Sequence, residues 1–430
     1  MIKKSIIALT FLCSVISNAQ RSTSSPYSIL GLGTEFRSET VEQSMMGGLG
    51  AAIYNPFHLN LTNPAAVADL KFTTYVFGLE RQSLTIYDES TKQNSSSTRL
   101  SYFGFGTRII DGFGFYFGMQ PVSAVGYSLS NRLFDNEGQL NELTTYTGTG
   151  DVNRLYLGLG ARLFKGFTVG AEIDYLFGSL ENSIIKQTLD VYLATRNIEE
   201  STVRGNEVKL GAQYQVKLKE KLKLHLGASF VLPADLTVKG EEYVYSLSYS
   251  NSGSVIPRDT LNSSVINGKY KNPFSTTVGI GIGREREWYV GAEAKKKQPI
   301  EVTDFGNDTS EAYRYETSSR FSLGGFYTPK YNSLNSYWER VTYRAGVRLE
   351  KLGLQVNGLG TENGFTSIDD FGINFGVGLP ISSSNPTNVN LGFEYGQRGT
   401  TQNGLIKENY FNLRLSLSFN DTWFRKRKID

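Results

Sequence analysis

From Phe411 to Phe419 the chain alternates without a break: Phe411, Leu413, Leu415, Leu417 and Phe419 are apolar, and Asn412, Arg414, Ser416 and Ser418 between them are polar. A period of two places the first set on one face of a β-strand and the second on the other. The same design recurs in pairs. Leu155, Leu157, Leu159, Ala161 and Leu163 alternate with Arg154, Tyr156, Gly158, Gly160 and Arg162, the chain turns at Lys165-Gly166, and Phe167, Val169, Ala171, Ile173 and Tyr175 resume the pattern. Further tight hairpins are expected across Asp111-Gly112, Lys219-Glu220-Lys221, Arg284 to Glu287 and Ser382 to Thr387. Between them lie long polar connections, notably Arg132 to Asp151, Ser179 to Arg204, Ser246 to Gly268 and Lys295 to Ala312. Short turns at one end and long loops at the other are the layout of an outer-membrane β-barrel.

Strands are expected near 72–88, 97–109, 113–129, 151–163, 167–178, 204–217, 222–245, 269–283, 288–299, 313–328, 339–349, 369–381, 388–399 and 405–419, fourteen in all. Leu352 to Gly358 resembles a fifteenth, but an odd count would place the chain ends on opposite sides of the membrane, so it reads as an extracellular extension. The fold class is therefore all-β, a closed antiparallel transmembrane barrel. The chain's 26 Phe, 25 Tyr and 45 Gly against only 11 Pro suit long strands with aromatic girdles.

Met45 to Leu70 (MMGGLGAAIYNPFHLNLTNPAAVADL) does not fit that pattern. It is too rich in glycine for a stable helix and too broken by Pro56 and Pro64 for an inner strand, yet Asp69 is its only charge. A mostly apolar segment that cannot join the sheet is expected to fill the lumen as a plug. Gly47-Gly48-Leu49-Gly50-Ala51-Ala52, followed by Asn63-Pro64-Ala65 just ahead of the strands, resembles the N-terminal hatch of FadL-type outer-membrane transporters for long-chain fatty acids and other hydrophobic compounds, in particular their Bacteroidota-like members. The resemblance covers about residues 26 to 424. It implies a hatch-lined ligand site at Asn63, Pro64, Ala65, Phe57, Leu59 and Leu61, and a third strand kinked inward to open the wall sideways. Pro121 is the candidate for that lateral opening, because proline cannot donate to the ladder; a strand that ends there above the membrane is the alternative. Pro233 and Pro273 are expected near the extracellular rim.

Residues 1 to 19 have the order of a secretory signal peptide: Lys3 and Lys4, an apolar run from Ile6 to Ile16, and small residues up to a cut after Ala19. The sole cysteine, Cys13, lies inside it, and Leu12 before it argues against a lipid anchor. The mature chain then has no thiol, and losing two lysines lowers the formal charge from +3 to +1, so nothing points to nucleic acid. Residues 20–70 form an N-terminal segment and hatch in which the Ser-rich start reads as mobile and Tyr27 to Phe36 extends the plug. Residues 71–419 form the barrel. Residues 420–430 form a periplasmic tail whose Arg425-Lys426-Arg427-Lys428 follows Trp423-Phe424 at the membrane boundary, suited to acidic headgroups or to a partner.

Reactive chemistry is sparse. His58 lies in the hatch and His225 should face the lumen beside Lys223; neither has the serine spacing of a phospholipase, and two distant histidines make a poor metal site. Asp369-Asp370 and Glu172/Asp174 are expected to pair with lumen arginines such as Arg154 and Arg162. No enzyme, metal or cofactor is expected. Two functions remain open: passive uptake of a hydrophobic small molecule or lipid with lateral release, and a non-transporting barrel serving as scaffold or accessory subunit of an outer-membrane or periplasmic protein complex. Either is placed in the outer membrane of a Gram-negative cell.

Overall fold

The computed structural model describes residues 22–423 apart from 90, 251, 304–311, 362–363 and 382–385. The expected signal peptide, Phe424 and the basic run Arg425 to Lys428 lie outside the described residues. Fourteen antiparallel strands close into a barrel. In chain order they are Thr73–Tyr87, Lys92–Ile110, Phe113–Val125, Leu140–Phe164, Phe167–Thr188, Ala194–Lys217, Leu222–Val231, Ser275–Arg284, Trp288–Lys297, Ser318–Tyr327, Thr342–Asn357, Phe365–Pro380, Asn388–Gly399 and Lys407–Asp421. Closure is made by the first and last, in register from Thr73 opposite Asp421 to Tyr87 opposite Lys407.

The two-residue period sorts the side chains as expected. In the last strand Phe411, Leu413, Leu415 and Phe419 are exposed outward, whereas Asn412, Arg414, Ser416 and Ser418 are buried in the lumen. In the fourth strand Leu157 is 54% exposed while its neighbour Tyr156 is 2% exposed. Tight turns at Gly112 and Gly166 use a positive φ of 77° and 83°, which glycine adopts without steric cost.

The polar connections differ from expectation. The fourth strand begins at Leu140 rather than near 151, the fifth runs to Thr188, and the sixth starts at Ala194. Ala234–Tyr249 and Val255–Asn272 pair with each other over most of their lengths and continue the seventh and eighth strands outward. Alternation is required only where lipid covers one face; beyond it both faces meet water, so the sequence period fades while the backbone ladder persists. Pro233 and Pro273 sit side by side at the breaks where these two strands pass into their extensions, flanked by the pairs Ser275–Val231 and Ala234–Asn272. Leu352 to Asn357 extends the eleventh strand past a register shift and pairs with Tyr313–Tyr315. The fold is therefore an even-stranded barrel with a long-loop rim.

Residues 23–70 run inside this wall. The Ser-rich start, expected to be mobile, is instead anchored: Thr23 and Ser25 are each 1% exposed, and the Ser25 hydroxyl donates to Glu408 on the last strand. Leu32 joins an apolar cluster with Val125, Val152, Leu176, Val203 and Leu236 toward the long-loop end. Leu59, Leu61, Val67 and Leu70 pack with Tyr102, Tyr116 and Tyr156 toward the short-turn end.

Candidate functional site

The plug is built from short capped turns. Thr40 caps a single helical turn, Val41–Ser44, with the Thr40 hydroxyl accepting from the Gln43 amide and the Gln43 side chain accepting from the Thr40 amide. Gln43 then donates to Asn60 at 2.8 Å, which ties the two arms of the segment together. Asn63 precedes the 3-10 helix Pro64–Asp69, whose Ala65 amide donates to its side-chain oxygen at 3.1 Å. Proline just inside that turn lacks only an N–H that the turn leaves free.

Wall residues supply what the plug backbone cannot find within itself. The Asn63 amide group donates to the carbonyls of Ala51 (2.8 Å), Ala212 (3.1 Å) and Ala228 (3.1 Å), the last two on the sixth and seventh strands. Glu293 on the ninth strand accepts from the amides of Gly50 (2.8 Å) and Ala51 (2.7 Å). Glu42 accepts from Asn390 (2.7 Å) and Ser418 (2.6 Å) on the last two strands. Gly211 and Gly227 permit the close approach, since a Cβ at either would overlap Asn63 or Ala51. The plug is thus fastened on opposite sides of the barrel.

Of the residues singled out in the hatch, Asn63 and Ala65 are fully buried and Pro64 lies between them. Leu61 is also fully buried and belongs to the tyrosine-walled cluster. Leu59 belongs to that cluster too and, with Phe57, borders a cavity of about 440 Å³ that opens at the short-turn end, where Phe57 packs against Phe72 at 5.8 Å between ring centroids. The six residues therefore do not share one pocket.

Pro121 marks a parting of the wall. The second and third strands pair only as far as Phe103 opposite Met119; beyond it no cross-strand pair joins them among the described residues. On its other edge the third strand stays paired through Pro121, which faces Asn153, and the register shifts at the next residue. All residues from Gln120 to Val125 except Val122 are buried, as expected for a strand bent off the wall into the lumen. Its freed edge is taken by the N-terminal segment: Thr34 and Glu35 pair with Ala124 and Ser123, and the Phe36 amide donates to the Val122 carbonyl at 2.7 Å. The Arg99 guanidinium covers the Phe36 ring and pairs with Glu80 at 2.6 Å. Behind Pro121 is a cavity of only about 30 Å³, lined by charged groups including Arg37, Glu80 and Arg414. It is not the apolar chamber that a hydrophobic exit requires.

Charge fills the rest of the lumen. Arg348 pairs with Asp370 (2.9 Å), Glu394 (3.0 Å) and Glu350 (2.7 Å); Glu394 also binds Arg37 of the plug (3.0 Å) and Arg414 (2.6 Å). Arg154 pairs with Asp174 (2.7 Å) and Glu172 (3.2 Å) as expected. Arg162 does not: it reaches Asp69 of the plug (2.5 Å) and Asp111 (3.1 Å). Asp369 also departs, because its odd position turns it outward while Asp370 points in. His58 lies 3.9 Å from Glu42, and burial pushes its imidazole down to about 4, against the pull of that carboxylate. Lumen-facing His225 stacks on Tyr54 at 6.2 Å and meets Tyr289 edge-on at 5.7 Å.

The BamG family model matches residues 1–430. No curated protein matches the sequence. Among solved structures, the toluene transporter TodX of P. putida has a TM-score of 0.60 at 15% identity, over 91% of this chain and 100% of that one. The Ralstonia pickettii toluene transporter TbuX has 0.56 at 15%, over 89% and 99%. A Pseudomonas aeruginosa FadL homologue has 0.57 at 12%, over 89% and 98%. At such identities the likeness is one of fold, that of the FadL-type outer-membrane barrel. The FadL-type likeness expected from the hatch residues is therefore present at the level of fold, while the family model that matches the chain is BamG.

Proposed function

The chain belongs to the BamG family, and from that premise we propose that it is a filled, non-transporting outer-membrane barrel that serves as an accessory subunit of an outer-membrane assembly complex. The observation that carries this reading is the charged closure beside Pro121. A hydrophobic solute needs an apolar route, because each methylene left in a polar passage forgoes about 0.8 kcal/mol. Here the cavity bordered by Phe57 and Leu59 opens at the short-turn end, and the space behind Pro121 is about 30 Å³ and ringed by arginines and glutamates. In this reading residues 1–19 are removed on export, residues 20–70 brace the lumen, residues 71–419 present the lipid-facing wall, and the basic tail from 420 to 430 is a docking element on the periplasmic side.

A second reading, passive uptake of a hydrophobic compound with lateral release, is favoured by the unpaired edge of the second strand beyond Phe103. It requires Thr34–Phe36 to leave the third strand and the hatch residues Asn63, Pro64, Ala65, Phe57, Leu59 and Leu61 to shift. Purifying the tagged chain from native outer membranes in mild detergent separates the two. The accessory-subunit reading expects other envelope proteins at fixed stoichiometry; recovery of the chain alone with bound lipid or hydrophobic compound would favour uptake.

A further inference from the structure

The short-turn end of the barrel opens into the cavity of about 440 Å³ that Phe57 and Leu59 border, and outer-membrane topology puts this end in the periplasm. Its floor is apolar and aromatic, with Ile53, Phe57, Phe72, Tyr289 and Phe326. Four arginines line it: Arg284 pairs with Glu287 at 3.6 Å, and among the described residues the other three, Arg286, Arg340 and Arg344, have no carboxylate within 4 Å. Arg286 lies over the Phe57 ring at 4.0 Å and near Tyr331 at 5.3 Å; Arg340 lies near Tyr337 at 5.4 Å. Among the described residues Arg344 donates only to Asn390, at 3.2 Å. The Nε atoms of Arg340 and Arg344 are buried without a hydrogen-bond partner, and Arg344 as a whole is 6% exposed. A guanidinium held this deeply without a carboxylate is costly unless an anion completes it.

The acids nearby are already used. Glu42 accepts from Asn390, Ser416 and Ser418, faces His58 and offsets part of the Arg344 charge from beyond ion-pair distance, Glu285 is shared by Lys71 and Lys223, and Glu287 pairs with Arg284. Both ring nitrogens of His58 are buried without a hydrogen-bond partner as well. The cavity therefore has unspent donors, a positive excess and an apolar floor, at a volume within the range of small-ligand sites. We propose that it binds a monocarboxylate carried on an apolar body, with the carboxylate held by Arg340 and Arg344 and the apolar part lying over the aromatic floor. Two sources share that chemistry: an acyl carboxylate, and the free C-terminus of a polypeptide ending in an apolar residue. The assignment holds whether the barrel transports or braces a complex, because it uses neither the gap at Pro121 nor a partner subunit.

The test is titration calorimetry on the full mature chain in lipid nanodiscs, with empty nanodiscs as the blank. The probes are dodecanoate against dodecan-1-ol, and an acetylated pentapeptide ending in Phe with a free against an amidated carboxyl. At least one carboxylate probe should bind saturably at one site, with its neutral counterpart weaker by about tenfold or more, as loss of a charge-assisted bidentate contact implies. Arg340→Gln should lose a similar factor, as should Arg344→Met, with Lys92→Gln at the opposite rim unaffected. Should Arg344→Met fail to fold, Arg340→Gln and the neutral probes still decide. Response to one carboxylate class alone identifies the source. Absence of saturable binding by either carboxylate, equal binding of the neutral probes, or binding indifferent to both arginine substitutions overturns the proposal.

Discussion

The Arg99 guanidinium sits 3.7 Å from the centroid of the Phe36 ring, and this contact closes the wall where the second and third strands part. Arg99 belongs to the wall and Phe36 to the N-terminal segment, so the stopper is supplied by a part of the chain that precedes the barrel. Removing the ring should therefore loosen the closure without dismantling the sheet. Phe36 is half-buried, so Phe36→Ala is expected to cost less than the about 3–5 kcal/mol of a fully buried aromatic. Hydrogen exchange should show faster exchange at Thr34 to Phe36 and at Val122 to Val125, with the rest of the third strand protected as before. Unchanged protection would mean that Phe36 does not hold the closure.

The register of the last strand makes a sharper claim. Leu415 faces outward and Ser416 faces the lumen beside Glu42. Leu415→Arg should destabilise the inserted barrel by about 2–4 kcal/mol, the cost of a charge on the lipid face near the midplane. Ser416→Ala removes a hydrogen bond donated to Glu42 at 3.4 Å and one accepted from Asn390 at 3.1 Å, and should cost about 1–2 kcal/mol. Urea unfolding in lipid vesicles measures both, and similar costs would contradict the register.

The Asn63 side chain makes four hydrogen bonds, two of them to the wall. Asn63→Ala leaves the Ala212 and Ala228 carbonyls without this donor and removes the cap on the Pro64–Asp69 turn, together about 2–4 kcal/mol. That penalty falls on the plug, since both strands keep their ladder partners. Heat-modifiable migration on gels should stay normal while exchange rises across Met45 to Leu70.

Acid should loosen the same segment. Burial lowers the His58 pKa from the usual 6.5 to about 4, so the folded state holds it neutral while the unfolded chain binds a proton. Stability conferred by His58 is then complete above about pH 6.5 and declines as pH falls toward 4. The Glu42 carboxyl is buried, which opposes ionisation, but His58, Ser418 and Arg344 hold it below its usual 4.5, so its contribution is lost as pH falls from about 4.5. His58→Gln should flatten the pH dependence of plug protection between about pH 6.5 and 4.5, above the range in which the Glu42 contribution is lost. An unchanged slope would contradict the assignment to His58.

The barrel was legible in the sequence because lipid imposes a two-residue period wherever it touches the wall, as at Phe411 to Phe419 and Leu155 to Tyr175. The plug was legible from what it lacks, charge and strand propensity together. The polar extensions such as Ala194 to Arg204 were not, because a strand wetted on both faces carries no period. Nor could sequence bring Phe36 to Arg99, or gather Arg286, Arg340 and Arg344 into one cavity. Those contacts depend on how the barrel closes. Pro121 signalled a break in the ladder, but the charged residues that fill the break come from Glu80, Arg99 and Arg414 on other strands.

Whether the closure at Pro121 ever opens to a solute separates a brace from a channel. Thr34 and Ala124 are direct partners across it, so Thr34→Cys with Ala124→Cys can lock it, given that the only natural cysteine, Cys13, lies in the expected signal peptide. Flux of dodecanoate and of toluene into liposomes carrying the mature chain, with the pair reduced and then oxidised, is the direct measurement. The account predicts flux equal to protein-free liposomes in both states. Flux above that level in the reduced protein that oxidation abolishes would contradict it and establish a lateral gate.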